Sequence, residues 1–312
     1  MKRNVLGTGG MSLFLACLIW GLWNGFASAV WADPGLLIVA HGAPRAQWNT
    51  PVLELGRSVA EQAARDGAFR AVRTAMLEFA QPDVARAVKE LEAEGCRRII
   101  AVPLFIAPSG HTLFDVPAVL GIYSSSEMRA MLLEEGAEIA HPKVPITLTQ
   151  TLDCEVLCAF ALDQVRRLSQ EPKDEALILL AHGSADHYRL VDGLVRRIAA
   201  YCCGQAGIDY GDWAFVKVGQ DYAEEGARAI ERAARHKKRV LVVGLYVASS
   251  AWDIHRRATT RGPQGLENLL RLEQQGRVVF SKQGLIAHPA TARWILDVAR
   301  GALEPTKGRK EP

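Results

Sequence analysis

Five residues able to bind a metal or move a proton stand at matching points along the chain. The apolar run Leu36 to Gly42 (LLIVAHG) ends in a His-Gly pair at His41, and Leu177 to Gly183 (LILLAHG) ends in the same pair at His182. Glu78 lies at the end of AVRTAMLEF, His111 follows RIIAVPLFIAPSG, and His255 follows RVLVVGLYVASSAWDI. Imidazole and carboxylate are good ligands for borderline divalent metals, and an incomplete ligand set leaves positions open for exchange. A histidine after a strand also serves as a hydrogen-bonded structural residue, and clustered ionisable groups can be structural. Spacing alone leaves both roles open.

The segments that must position these residues occur twice. His182 lies 141 residues beyond His41, His255 lies 144 beyond His111, and His288 of LIAHP lies 147 beyond His141 of EIAHP. Three landmarks in one order with a slowly drifting offset indicate an internal duplication. Short Val-, Ile- and Leu-rich runs without polar alternation predict strands buried on both faces of a parallel sheet. Between them, Thr50-Pro51 reads as an N-cap and first helical residue, with Val52, Leu55, Val59 and Ala63 on one face and Gly67 as the stop. Pro82 and Gly95 bracket a second helix, and the second copy repeats the pair near His187 to Ala200 and Tyr222 to Arg235.

This succession predicts an α/β fold of two similar domains, each a parallel sheet flanked by helices. Ligands of such sheets bind beyond the carboxyl ends of the strands. Three strands therefore bring His41, Glu78 and His111 to one edge, with His182 and His255 as second-copy candidates. The expected division is a leader (1–32), a first domain (33–150), a helix and linker (151–175), a second domain (176–304) and a frayed tail (305–312).

Composition narrows the classes. The 312 residues, 49% hydrophobic and 23% charged, are long enough for two domains. The formal charge of +3 drops to +1 without Lys2 and Arg3, so bulk charge gives no support for nucleic-acid binding. Lys2 and Arg3, the apolar run Met11 to Trp23, and the small-residue sites ending at Ala29 or Ala32 read as a cleaved secretory signal. An exported, periplasmic location follows as an expectation, with membrane contact only through an uncleaved leader. The five cysteines after the leader form no CxxC, and Cys154 and Cys158, one helical turn apart, read as packing residues. A homo-oligomer and a monomer both remain open.

With these residues in view, VAHG, MLEFAQPDVARAV and PLFIAPSGHTLFDVP resemble the sirohydrochlorin chelatases, the class II cobalt, nickel and iron chelatases of tetrapyrrole synthesis. The resemblance covers essentially the whole chain after the leader. It implies two flavodoxin-like, chelatase-like domains facing each other across a cleft. It also implies lyase-type, ATP-independent metal insertion, in keeping with the absence of a GxxxxGK[ST] phosphate loop. Carried over by motif, His41, Glu78 and His111 would handle the metal. The counterpart of Glu78 is Lys217 in FVKVGQD, which favours the first copy as the working site. The first motif reads His41-Gly42-Ala43-Pro44 where HGS is usual, whereas the second keeps His182-Gly183-Ser184.

The implied reaction exchanges two pyrrole protons for one dication: Co²⁺ is favoured, and Fe²⁺ and Ni²⁺ are alternatives. Neutral imidazoles can hold the metal and accept protons. Arg45, Arg256 and Arg257 are candidates for binding the carboxylates of a tetrapyrrole, or are solvated surface charges. A carrier of metal or tetrapyrrole, exported and using the same cleft without turnover, is the main rival. A hydrolase is disfavoured, because no GxSxG elbow is present and Ala40 precedes His41 where a histidine phosphatase has arginine.

Overall fold

The computed structural model of the chain describes residues 33–304, apart from Ser124, residues 218–220 and Pro263. The predicted leader and tail lie outside the described residues. In chain order the elements are β1 (Pro34–Ala40), α1 (Ala46–Asp66), β2 (Ala71–Met76), α2 (Val84–Ala93), β3 (Arg98–Pro103), α3 (Val116–Val119), α4 (Ser126–Glu134), β4 (Ile146–Leu148) and α5 (Cys154–Leu168). There follow β5 (Glu175–Ala181), α6 (Tyr188–Ala206), β6 (Tyr210–Phe215), α7 (Arg228–His236), β7 (Arg239–Leu245), α8 (Ala251–Arg261), α9 (Glu267–Gln274), β8 (Val278–Phe280) and α10 (Pro289–Gly301). Single π-helical turns, His111–Asp115 and Tyr222–Ala227, lead into α3 and α7.

The duplication is visible in the sheets. Each has four strands, ordered β2-β1-β3-β4 and β6-β5-β7-β8, and every pairing is parallel. The central strands β1 and β5 are buried almost throughout, which is why both read as unbroken apolar runs. Their two faces feed different cores. Leu37 and Val39 pack with α2 residues on one side of the first sheet, while Leu36 and Ile38 face a core shared by both modules. Leu177 and Leu179 enter that same shared core from the second sheet.

Two helices join the modules reciprocally. Helix α5, which follows the first sheet, packs on α6 and β7 of the second module, whereas the last helix, α10, packs on α1 and β3 of the first. Asp153 caps α5 by accepting from the backbone of Glu155 and Val156, and it also accepts 2.8 Å from the Trp294 indole of α10. Phe160 of α5 is fully buried in the shared core. The five cysteines are free thiols, and burial pushes that of Cys202 up to about 12.

Local rules held at most boundaries and yielded at three. Asp83 caps α2 through Arg86 N, Gly67 ends α1 in the left-handed region, and Val52, Leu55, Val59 and Ala63 are buried as expected. Yet α1 begins at Ala46, so Thr50-Pro51 lies inside it rather than at its start. Thr50 Oγ1 donates to Ala46 O at 3.0 Å, and Trp48 in the added turn lies 4.2 Å beneath the Arg257 guanidinium of the second module. These contacts offset the hydrogen bond that proline removes. Helix α6 likewise runs to Ala206, past the expected Ala200, and the helix expected from Tyr222 begins with a π turn.

Two histidines serve the cores. His288 caps α10 by accepting from Ala290 N, and its ring packs edge-on against Phe160. Burial lowers the pKa of His288, and that of His255, from the ordinary 6.5. A histidine held neutral in the fold takes up a proton on unfolding once the pH falls through its free value, so unfolding then consumes protons. The urea midpoint is expected to fall between about pH 7.5 and about pH 5.5. A midpoint that stays constant or rises across this interval contradicts the assignment.

Candidate metal centre

Backbone contacts bring the ends of the first three strands into a fixed relation. Beyond β1 and β2, Leu77 N donates to Ala40 O at 2.8 Å and Glu78 N donates to His41 O at 2.9 Å. Gly42 makes this approach possible. Its φ is +87°, and a Cβ there would stand 2.1 Å from Glu78 O. Beyond β3, Leu104 N donates to Val39 O at 2.7 Å. Ser109 N then donates to Thr112 Oγ1 at 2.8 Å, anchoring the π turn whose first residue is His111.

His41, Glu78 and His111 meet at the carboxyl edge of the first sheet, with one ligand atom from each lying within 4.8 Å of the others. The two rings are nearly perpendicular, with centroids 4.6 Å apart and Nε2 atoms 3.2 Å apart. Their protons can be assigned from the partners. His41 Nδ1 lies 2.9 Å from Gly42 O, which only accepts, so Nδ1 is the donor. His111 Nδ1 lies 2.7 Å from Asp115 Oδ2 and 3.6 Å from Glu78 Oε1, so it also carries its proton toward carboxylate. In two neutral rings both Nε2 lone pairs therefore face each other. Such an arrangement is relieved by a proton or a cation placed between them, and a carboxylate behind a ligating histidine is the usual support of a metal site.

The surroundings are apolar on the ring side. Phe79 stacks near His41 with centroids 6.0 Å apart, and Phe105 approaches it edge-on at 6.3 Å. Phe79 is 64% exposed and held at φ +63°, within a turn closed by Ala80 N to Glu78 O. A bulky residue in that region costs of order 1–3 kcal/mol, which marks the turn as over-determined by its neighbours. Leu113 and Phe114, in the π turn after His111, are also exposed.

The second copy keeps one metal-handling position and differs at the other two. Strand register confirms the pairing of Glu78 with Lys217: Val216 N donates to Ala181 O just as Leu77 N donates to Ala40 O. His182 sits where His41 does, with Nδ1 donating 2.8 Å to Gly183 O. Its ring is open to solvent yet recessed between the modules. Burial lowers its pKa first, and the charges of Lys217, His41 and His111 lower it further. His255 does not join this group in the way its spacing suggested. It lies one turn inside α8, only 1% exposed, with Nδ1 on Tyr222 Oη at 2.7 Å and Nε2 on Glu273 at 3.0 Å, and it stacks on Phe280. Both ring nitrogens are thus already engaged in the core.

Of the candidate cations, Arg45 at the start of α1 and Arg256 of α8 are exposed. Arg257 instead covers Trp48 and donates to the carbonyl of Asp253, joining the modules. Sequence reasoning missed Asp115 as a partner of His111. Its signal was the four-residue spacing His111–Asp115, which places both side chains on one face of a helical turn. We expect Asp115→Ala to weaken Co²⁺ binding about ten- to a hundredfold while leaving the fold intact. Titration calorimetry showing unchanged affinity contradicts the supporting role.

Comparison with known proteins agrees with this geometry. Residues 35–167 match the CbiX family. A sirohydrochlorin cobaltochelatase of Methanococcus maripaludis is 32% identical over 92 residues, 30% of this chain and 61% of the relative. One from Saccharolobus islandicus is 35% identical over 88 residues, 28% of this chain and 64% of the relative. The chain thus spans about three-fifths of the length of the curated relatives it matches. Among solved structures, the sirohydrochlorin chelatase SirB of Bacillus subtilis subspecies spizizenii in complex with cobalt superposes with a TM-score of 0.60 at 13% identity, over 89% of this chain and 98% of that one. SirB from Bacillus subtilis with Fe³⁺ gives a TM-score of 0.62 at 15% identity over the same shares, a likeness of fold. Sequence over the first module is thus similar to the CbiX family and to sirohydrochlorin cobaltochelatases, and the fold over both modules is like that of SirB.

Proposed function

We propose that the protein inserts a divalent metal ion into sirohydrochlorin or a related tetrapyrrole, without nucleotide hydrolysis. The observation that carries this reading is the pair of Nε2 atoms 3.2 Å apart beside Glu78. Three side-chain ligands leave coordination positions open, as a site that must surrender its metal requires. Co²⁺ is the favoured substrate ion, because the curated relatives are cobaltochelatases. Fe²⁺ and Ni²⁺ suit the same nitrogen and oxygen donors.

In this reading His41 and His111 present the ion at Nε2, and Gly42 O and Asp115 keep the other ring nitrogens protonated and the rings oriented. Glu78 completes the ligand set and accepts one pyrrole proton as the ion leaves, and an imidazole Nε2 freed of the ion accepts the other. The exposed faces of Phe79 and Phe114 offer apolar contact for a planar macrocycle beside the ion. The leader supports an exported location, and the metal is a substrate of the reaction.

The test mixes substoichiometric protein with sirohydrochlorin and Co²⁺, Fe²⁺ or Ni²⁺ and follows the change in absorbance. We expect multiple turnovers, lost in His41→Ala and in His111→Ala and retained in His255→Gln. Stoichiometric binding without turnover favours an exported metal or tetrapyrrole carrier. Undiminished turnover in both alanine variants overturns the site assignment.

A further inference from the structure

The edge of the second sheet faces the metal centre with a different chemistry. Lys217 stands where the duplicated fold places Glu78, and its side chain is exposed. Gly183 approaches β6 so closely that a Cβ there would stand 2.8 Å from Phe215 Cβ. This contact seats the His182 loop over the end of β6, two residues before Lys217. Among the described residues no carboxylate pairs with Lys217. Tyr188, 54% exposed, packs edge-on against Phe215, two residues before Lys217.

We propose that Lys217, with His182 beside it, is a receptor for a carboxylate of the macrocycle and positions that macrocycle over the first module's metal. The inference rests on the chelatase reading of the cleft and extends it to the substrate's periphery. Arg257, in the helix after β7, lies 4.2 Å over Trp48, in the helix after β1, so the carboxyl edges of the two sheets lie side by side. On the second edge the ammonium of Lys217 repels a second metal ion and attracts an anion. Lysine suits the task because its ammonium is a compact charge on a flexible stem, able to follow a flexible carboxylate arm. Duplication followed by exchange of carboxylate for ammonium thus yields one edge that binds the cation and one that binds the polyanionic partner.

The experiment measures equilibrium binding of metal-free sirohydrochlorin by quenching of protein fluorescence, and Co²⁺ binding by calorimetry. Wild type is compared with Lys217→Met and Lys217→Arg. In Lys217→Met the Kd for sirohydrochlorin is expected to rise about tenfold, the loss of one charge-assisted contact in a partly open site. Lys217→Arg should recover most of the affinity, Co²⁺ affinity should stay unchanged in both variants, and a methyl-esterified tetrapyrrole should bind wild type and Lys217→Met alike. Where turnover is measured, the effect should fall on KM rather than kcat. Equal sirohydrochlorin affinity in wild type and Lys217→Met overturns the inference, as does loss of Co²⁺ binding or an equal penalty on the ester. Wild-type protein that binds sirohydrochlorin without turnover refutes the chelatase reading instead, and the binding ratio still decides the role of Lys217.

Discussion

Two imidazole nitrogens held 3.2 Å apart, each with its remaining proton committed elsewhere, set the demand that the rest of the molecule meets. Gly42 O takes the proton of His41 Nδ1, and Asp115 takes that of His111 Nδ1. The facing lone pairs repel unless a positive species lies between them. Glu78 adds negative charge at the same point, and partial burial keeps water from screening it fully. In the proposed function a cation completes this centre. Gly42 owes its left-handed backbone, and the π turn its hydroxyl anchor, to this geometry.

Holding such a centre open requires a rigid frame, because relaxation by a fraction of an ångström would separate the rings. The frame is the shared core. By sending α5 onto the second sheet and α10 onto the first, the two modules bury one apolar layer between them. The cleft edges, with His41, Glu78 and His111 on one side and His182 and Lys217 on the other, are thus fixed by helices far from the chemistry. Arg257 on Trp48 adds a clasp near the mouth. The duplication supplied two similar edges, and one charge reversal and the withdrawal of His255 into the core made them different.

Much of this was legible in the residues. Unbroken apolar runs ending in His-Gly identified both central strands, and parallel-sheet geometry then brought His41, Glu78 and His111 to one edge. The matched backbone contacts of Leu77 and Val216 uphold the pairing of Glu78 with Lys217 that motif spacing suggested. Other features were hidden for identifiable reasons. Thr50-Pro51 carries a local start signal that a tertiary contact of Trp48 overrides. His255 has nearly the same spacing as His111, yet it lies one turn inside its helix, and a one-turn shift carries it from the site into the core. The exchange of α5 and α10 depends on which apolar face meets which, and two similar modules offer near-identical faces to a reader of the sequence.

The most direct test of the central claim is X-ray absorption at the cobalt edge of protein loaded with one equivalent of Co²⁺. The expected shell is nitrogen and oxygen only, containing two imidazoles, of which one disappears in His41→Ala and the other in His111→Ala. Sulfur in the shell, as the close Cys154 and Cys158 thiols would supply, or a shell unchanged by loss of either histidine, would contradict it.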